Sequence, residues 1–280
     1  MYEFHTPEPV RLRLELGSGE IRIATTETDR TTVEVTSQRD DEAGREAVAE
    51  TRVEQRGRDI VIEAPRKSAS FFRRGPQLQL HVQVPHLSQL EAKIDSADLE
   101  VTGQLIDVNV KTGSGDVRLD TVIEDTHVQS GSGDVELERG GRETRTQSGS
   151  GDVRIRHADG SVKVSTGSGD IGVDHAGGPV QLNSGSGDVQ LDDAAADVSV
   201  NTASGDQYLG RVRRGRVRSN AASGDIHIGV AEGTAAWLSV NSLSGSVHSE
   251  LDGAEPPNDD EDTVEVRVNT VSGDITLVRS

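Results

Sequence analysis

The sequence contains no cysteine, which excludes disulfides, thiolate metal sites and thiol nucleophiles and leaves the redox compartment unmarked. Aromatic residues are nearly missing. Phe, Tyr and Trp make up 2% of the 280 residues, where a globular enzyme core ordinarily uses them as large fillers. Basic residues are outnumbered 29 to 48, for a formal net charge of −19. Such a chain repels phosphate backbones and anionic lipid, so neither nucleic acid nor a membrane is an expected partner. No run approaches the ~18 apolar residues of a membrane span. The start, Met1-Tyr2-Glu3-Phe4-His5-Thr6-Pro7, has neither a basic segment nor an apolar run, so the expected location is the cytoplasm.

What the sequence does have is Gly, Val, Leu and Ile, and a repeat. The unit Ser-Gly-Asp-(Val/Ile)-x-(aliphatic) places its Asp at 98, 116, 134, 152, 170, 188 and 206, always 18 residues apart, and then at 225 and 274. Ser96-Ala97-Asp98 is a degenerate first member, and Ser244-Gly245-Ser246 has lost the carboxylate. Apolar residues alternate on both sides of each turn, as in Val162 and Val164 before Asp170 and Ile171 and Val173 after it. Period two on both flanks means two short strands, each with one buried face. Eighteen residues thus make one flattened coil, and stacked coils make two facing parallel sheets.

The expected fold is an all-β parallel β-solenoid of about ten two-strand coils spanning residues 91–280, preceded by a less regular β cap over residues 1–90. In the cap, strands are expected at Val10–Leu16, Ile21–Ile23, Thr32–Thr36, Asp59–Glu63 and Gln77–Val84, with one helix at Asp40–Thr51. Asn183, Asn201, Asn220, Asn241 and Asn269 share a column and are expected to form an amide ladder. The final coil, Val264 to Leu277, is expected to be the open end of the stack. The acidic insertion Asp252–Asp262 would lie beside it and discourage end-to-end pairing, giving a monomer or small oligomer.

The repeated Ser-Gly-Asp-Val turns, the strand ending Gln83-Val84-Pro85 and the opening Phe4-x-Thr6-Pro7 resemble the bacterial putative-adhesin family of β-strand-repeat domains, a domain of unknown function. The tail from Gly233 to Leu277 is similar to soluble members from high-GC Gram-positive bacteria, and 25 Arg against 4 Lys suits a GC-rich genome. The resemblance covers nearly the whole chain. It implies the solenoid fold and brings no catalytic residues with it.

Three chemistries remain to be weighed. Asp116, Asp134, Asp152, Asp170, Asp188 and Asp206 stack in one column, where carboxylates ~4.8 Å apart repel by roughly 0.9 kcal/mol even in water. Calcium could offset this, since it takes carboxylate and carbonyl oxygens in flexible numbers. The preferred reading is that each Asp closes its turn by accepting backbone amides. His157, His175 and Asp193 also share a column and could in principle hold zinc, but the preferred reading is a solvated turn column. Phe71-Phe72-Arg73-Arg74 is an aromatic-basic spot in a loop, read either as a flap on the solenoid or as an interaction tip. A catalytic serine or acid is a single residue with a single partner, whereas these turns recur many times, so no enzyme and no cofactor are expected. The functional expectation is a non-enzymatic scaffold or a surface for a protein or glycan. A calcium-binding repeat module is the alternative, and a glycan-processing β-helix enzyme comes third.

Overall fold

A computed structural model describes residues 1–65, 76–251 and 262–280 of the chain. The fold is an all-β parallel β-solenoid with 24 strands and one helix among the described residues, and the chain forms two compact units, Met1–Gly141 and Arg142–Ser280.

Unit 1 opens with β1 (Tyr2–His5), β2 (Arg11–Thr26) and β3 (Arg30–Ser37), then α1 (Glu42–Glu50). Asp41 caps α1, its Oδ1 accepting the Gly44 N–H at 2.7 Å, and the Thr51 hydroxyl donates to the Ala47 carbonyl at the other end. Next come β4 (Arg52–Arg56), β5 (Asp59–Glu63), β6 (Leu78–Pro85) and the long β7 (Ser88–Thr112). β8 (Val117–Val122), β9 (Asp125–Ser130) and β10 (Val135–Gly140) complete the unit.

The strand positions expected in the cap are present, with β1 and β4 added. β2 is itself a solenoid coil, paired in parallel with β7 so that Ser18, Gly19 and Glu20 lie beside Ser96, Ala97 and Asp98. On its other side β2 pairs in parallel with β5 and β6. Antiparallel strands then finish the stack, β4 on β5, β3 on β6 and β1 on β3. Seventy-eight residues separate β2 from its partner register in β7, so the 18-residue period could not reveal it.

Unit 2 repeats one coil seven times. Its strands are β11 (Glu143–Ser148), β12 (Val153–Ala158), β13 (Ser161–Thr166), β14 (Ile171–Ala176), β15 (Val180–Ser184) and β16 (Val189–Ala194). They continue with β17 (Val198–Ser204), β18 (Gln207–Val212), β19 (Gly215–Ser223) and β20 (Ile226–Val230). The last four are β21 (Ala235–Ser244), β22 (Val247–Ser249), β23 (Thr263–Ser272) and β24 (Ile275–Arg279). Val164, Leu182 and Val200 pair in register and are fully buried, and the facing strands contribute Val173, Leu191 and Leu209. Polar side chains also enter the core, Thr144 and Thr146 in the first coil and the pair Gln207 and Ser219 further along. Gln207 accepts from the Ser219 hydroxyl at 2.5 Å and donates to Thr202 Oγ1 and the Asn220 carbonyl, so both side chains are satisfied where they are buried.

The coils do not stack in sequence order at the C-terminal end, which corrects the expectation that Val264–Leu277 is the open coil. β23 lies between β19 and β21, and β24 between β20 and β22. The outermost coil is therefore β21–β22. A carboxylate explains the order. Asp274 accepts an N–H from the coil stacked upon it, whereas Ser246 has no carboxylate to extend the ladder, so its coil is suited to coming last.

Candidate binding face along the carboxylate ladder

Each Ser-Gly-Asp turn is built by two side chains. The hydroxyl at the end of the incoming strand accepts the turn glycine's N–H, as Ser148 does from Gly151 at 2.9 Å, Thr166 from Gly169 at 3.0 Å and Ser184 from Gly187 at 2.8 Å. The aspartate acts between coils. In unit 2, Asp152 Oδ1 accepts the N–H of Asp170, and Asp170 that of Asp188, each at 2.8 Å. The same 2.8 Å bond continues from Asp188 to Asp206, to Asp225, to Asp274 and finally to the Ser246 N–H. Unit 1 shows the same device, with Asp98 accepting from Asp116 at 3.0 Å and Asp116 from Asp134 at 3.1 Å. The bonds of this column run from one coil to the next, where the expectation was an acceptor closing its own turn. The dipoles of these N–H groups offset part of the repulsion along the row. At its end, the Ser246 N–H holds the Asp274 carboxyl below the usual carboxylate range.

Four of the five expected asparagines form an amide ladder, with Asn241 in register beside Asn269. Asn201 donates to Asn183, Asn220 to Asn201 and Asn269 to Asn220, at 3.0 to 3.1 Å. The turn-edge histidines find local partners: His157 pairs with Asp159 at 3.0 Å and His175 with Asp193 at 3.5 Å, and Asp193 also takes Arg213. His227 and His248 have Thr276 between them, a consequence of the changed coil order. Among the described residues, no three His, Asp or Glu side chains are gathered as metal ligands. Phe71, Phe72, Arg73 and Arg74 lie outside the described residues.

Beside the ladder, on the outward face of the sheet, unit 2 carries an open groove of about 810 Å³. One wall is the row of carboxylates from Asp152 to Asp274. The floor is the outward column two residues further along each strand: Arg154, Gly172, Gln190, Tyr208, His227 and Thr276. Gly172 leaves a one-coil gap in that column. Gln190 donates along its own strand to Asp192 at 2.7 Å, while Arg154 leans onto the Gly172 coil, its guanidinium donating to Asp174 at 2.9 Å. Beyond the gap, the Tyr208 and His227 rings stack at 5.0 Å with 9° between their planes. The result is a rigid trough with acceptors along one side, a glycine floor, and a phenol and an imidazole at one end. It suits a partner rich in hydrogen-bond donors. Sequence reading located the carboxylates and passed over the gap, because Gly172 reads as a routine strand residue until its neighbours in the column are known.

Residues 10–210 and 175–278 match the family described as Toastrack, DUF4097. No curated protein matches the chain. Among solved structures, the whole chain is similar to 95% of a putative adhesin from Parabacteroides merdae, at 8% identity and a TM-score of 0.43. It is likewise similar to 95% of a putative lipid binding protein from Parabacteroides distasonis (14% identity, TM-score 0.42) and of a putative adhesin from Bacteroides fragilis (12% identity, TM-score 0.37). Among the described residues, no helix is long and apolar enough to cross a membrane.

Proposed function

The chain belongs to the Toastrack DUF4097 family, and from that premise we propose that it is a non-enzymatic solenoid scaffold whose unit 2 binds a protein or glycan partner in the groove beside the ladder. The observation that carries this reading is the gap at Gly172, walled by fixed acceptors and closed at one end by the Tyr208–His227 stack. A rigid concave site with a few convergent polar groups is the ordinary form of a recognition site. The carboxylates support binding rather than turnover. They are equivalent in structure, and their hydrogen bonds hold them as acceptors for backbone N–H groups, so no one of them stands apart as an acid or a base. The acidic wall favours partners presenting hydroxyl, amide or cationic donors and disfavours anions.

Gly172 supplies the test. A Cβ there would meet nothing nearer than Arg154 Cγ at 3.9 Å, so a side chain can enter without moving the backbone. Wild type, Gly172→Gln and Tyr208→Ala should be compared on arrays of immobilised neutral glycans and of synthetic peptides. Wild type is expected to retain at least one probe that Gly172→Gln loses by about tenfold or more, at a melting temperature no lower than wild type's. Equal retention by all three proteins, or no retention by wild type, would overturn the reading.

A further inference from the structure

The coil that ends unit 2 differs from every coil beneath it. From Gly233 to Ser249 there is no Asp, Glu, Lys or Arg, in a chain with a net charge of −19. β21 pairs with β23 along one edge, and among the described residues nothing pairs with its other edge. The aliphatic columns of the core run out uncovered here. Leu238 follows Val217 and Val266, both fully buried, yet is 41% exposed. Val247 follows Ile275 in the same way and is 50% exposed. Trp237, the one tryptophan of the chain, is 64% exposed on the same strand.

A second feature converges on this end. The turn position three residues before each ladder residue is Gly167, then Gly185, Ala203, Ala222, Val271 and Leu243 in order of stacking. The side chain grows step by step toward the last coil, and Val271 and Leu243 stand exposed there at 54% and 80%. An apolar rim thus borders the open edge.

We propose that β21 and β22 form the interface of a two-fold dimer in which the free edge of β21 pairs with that of a second copy of this chain. A long, apolar edge strand without charge, proline or bulge recruits another strand. The charge pattern selects the partner. An unlike basic partner would be met by an acidic face, whereas two identical acidic molecules can meet only where neither carries charge. Unit 1 shows the opposite treatment at its terminal strands. There β4 reads Arg-Val-Glu-Gln-Arg, and Arg30 bonds Glu3 of β1 at 2.5 Å. An edge that occurs once among the described residues, used by both copies alike, closes at two molecules. Ten residues at about 3.3 Å and a width of about 20 Å give an end face on the order of 650 Å² per copy, near the ~800 Å² of a standard interface.

Sedimentation equilibrium and tryptophan emission should be followed together from about 1 to 100 µM, the range in which an interface of this size associates. Wild type is expected to be a dimer at the upper end, its Trp237 emission moving to shorter wavelength as the dimer forms. Ser239→Lys with Leu243→Lys places two charges at exposed positions and should give a monomer with long-wavelength emission and unchanged melting temperature. Ile123→Lys, exposed in unit 1, should dimerise as wild type does. A wild-type monomer throughout would overturn the proposal and give the edge to an unlike chain. A dimer that survives the paired lysines, or an open-ended polymer, would overturn it as well.

Discussion

Two glycines three residues apart in one coil should respond to the same substitution with opposite sign. Gly169 sits in the turn before Asp170, where an added Cβ would collide with the Gly151 carbonyl, at 2.6 Å from its carbon and closer still to its oxygen. Space rather than φ is what excludes a side chain there, because Gly169 is not among the positive-φ glycines. In Gly169→Ala the turn must lift off the coil beneath, which strains the Asp170 N–H to Asp152 bond and the Gly169 N–H to Thr166 bond. Each is worth about 1 kcal/mol net, and the overpacking adds roughly 1–3 kcal/mol, so a loss of about 3–5 kcal/mol is expected. Gly172 lies mid-strand with its outward side open, and Gly172→Ala should gain about 0.5–1 kcal/mol from the stiffer unfolded chain. Urea unfolding followed by far-UV circular dichroism reads both changes as midpoint shifts of opposite direction. Shifts of the same sign, or a neutral Gly169→Ala, would refute the close-approach account of the Ser-Gly-Asp turn.

Gln207→Leu alone strands the buried Ser219 hydroxyl and should cost about 1–3 kcal/mol, while Gln207→Leu with Ser219→Val should recover most of it; a double variant no better than the single would show that the pair is not self-contained. The Asp274 carboxyl is held below its usual range by the Ser246 N–H, so its stabilising effect is complete at neutral pH and is lost as pH falls through the depressed value. The stability gap between wild type and Asp274→Ala should therefore be widest at neutral pH and narrow in acid, and a gap that widens in acid would contradict this. Calcium should leave the melting temperature within about 1 °C of its value in chelator, because one oxygen of each ladder carboxylate is already accepting an N–H; a rise of several degrees would make Asp152 to Asp206 a cation site.

The period, the turns and the aliphatic columns were legible in the sequence because each is local. A strand of period two, a turn that needs Gly and a cap such as Asp41 depend on residues a few positions apart. Stacking such units is then forced, since one coil alone leaves both sheet edges unpaired. What tertiary structure alone decided is which coil lies on which. Arg11–Thr26 joins the stack across 78 residues, and Thr263–Arg279 passes beneath Ala235–Ser249. A strand edge accepts any strand with matching register and burial, and the intervening chain length adds only a slowly growing closure cost, so nearness in sequence does not decide the neighbour. The last coil is the one that ends the carboxylate ladder at Ser246, and the gap at Gly172 becomes a groove only when Arg154 and Gln190 flank it in the stacked column. Both features depend on side chains that meet across coils, which no single repeat contains.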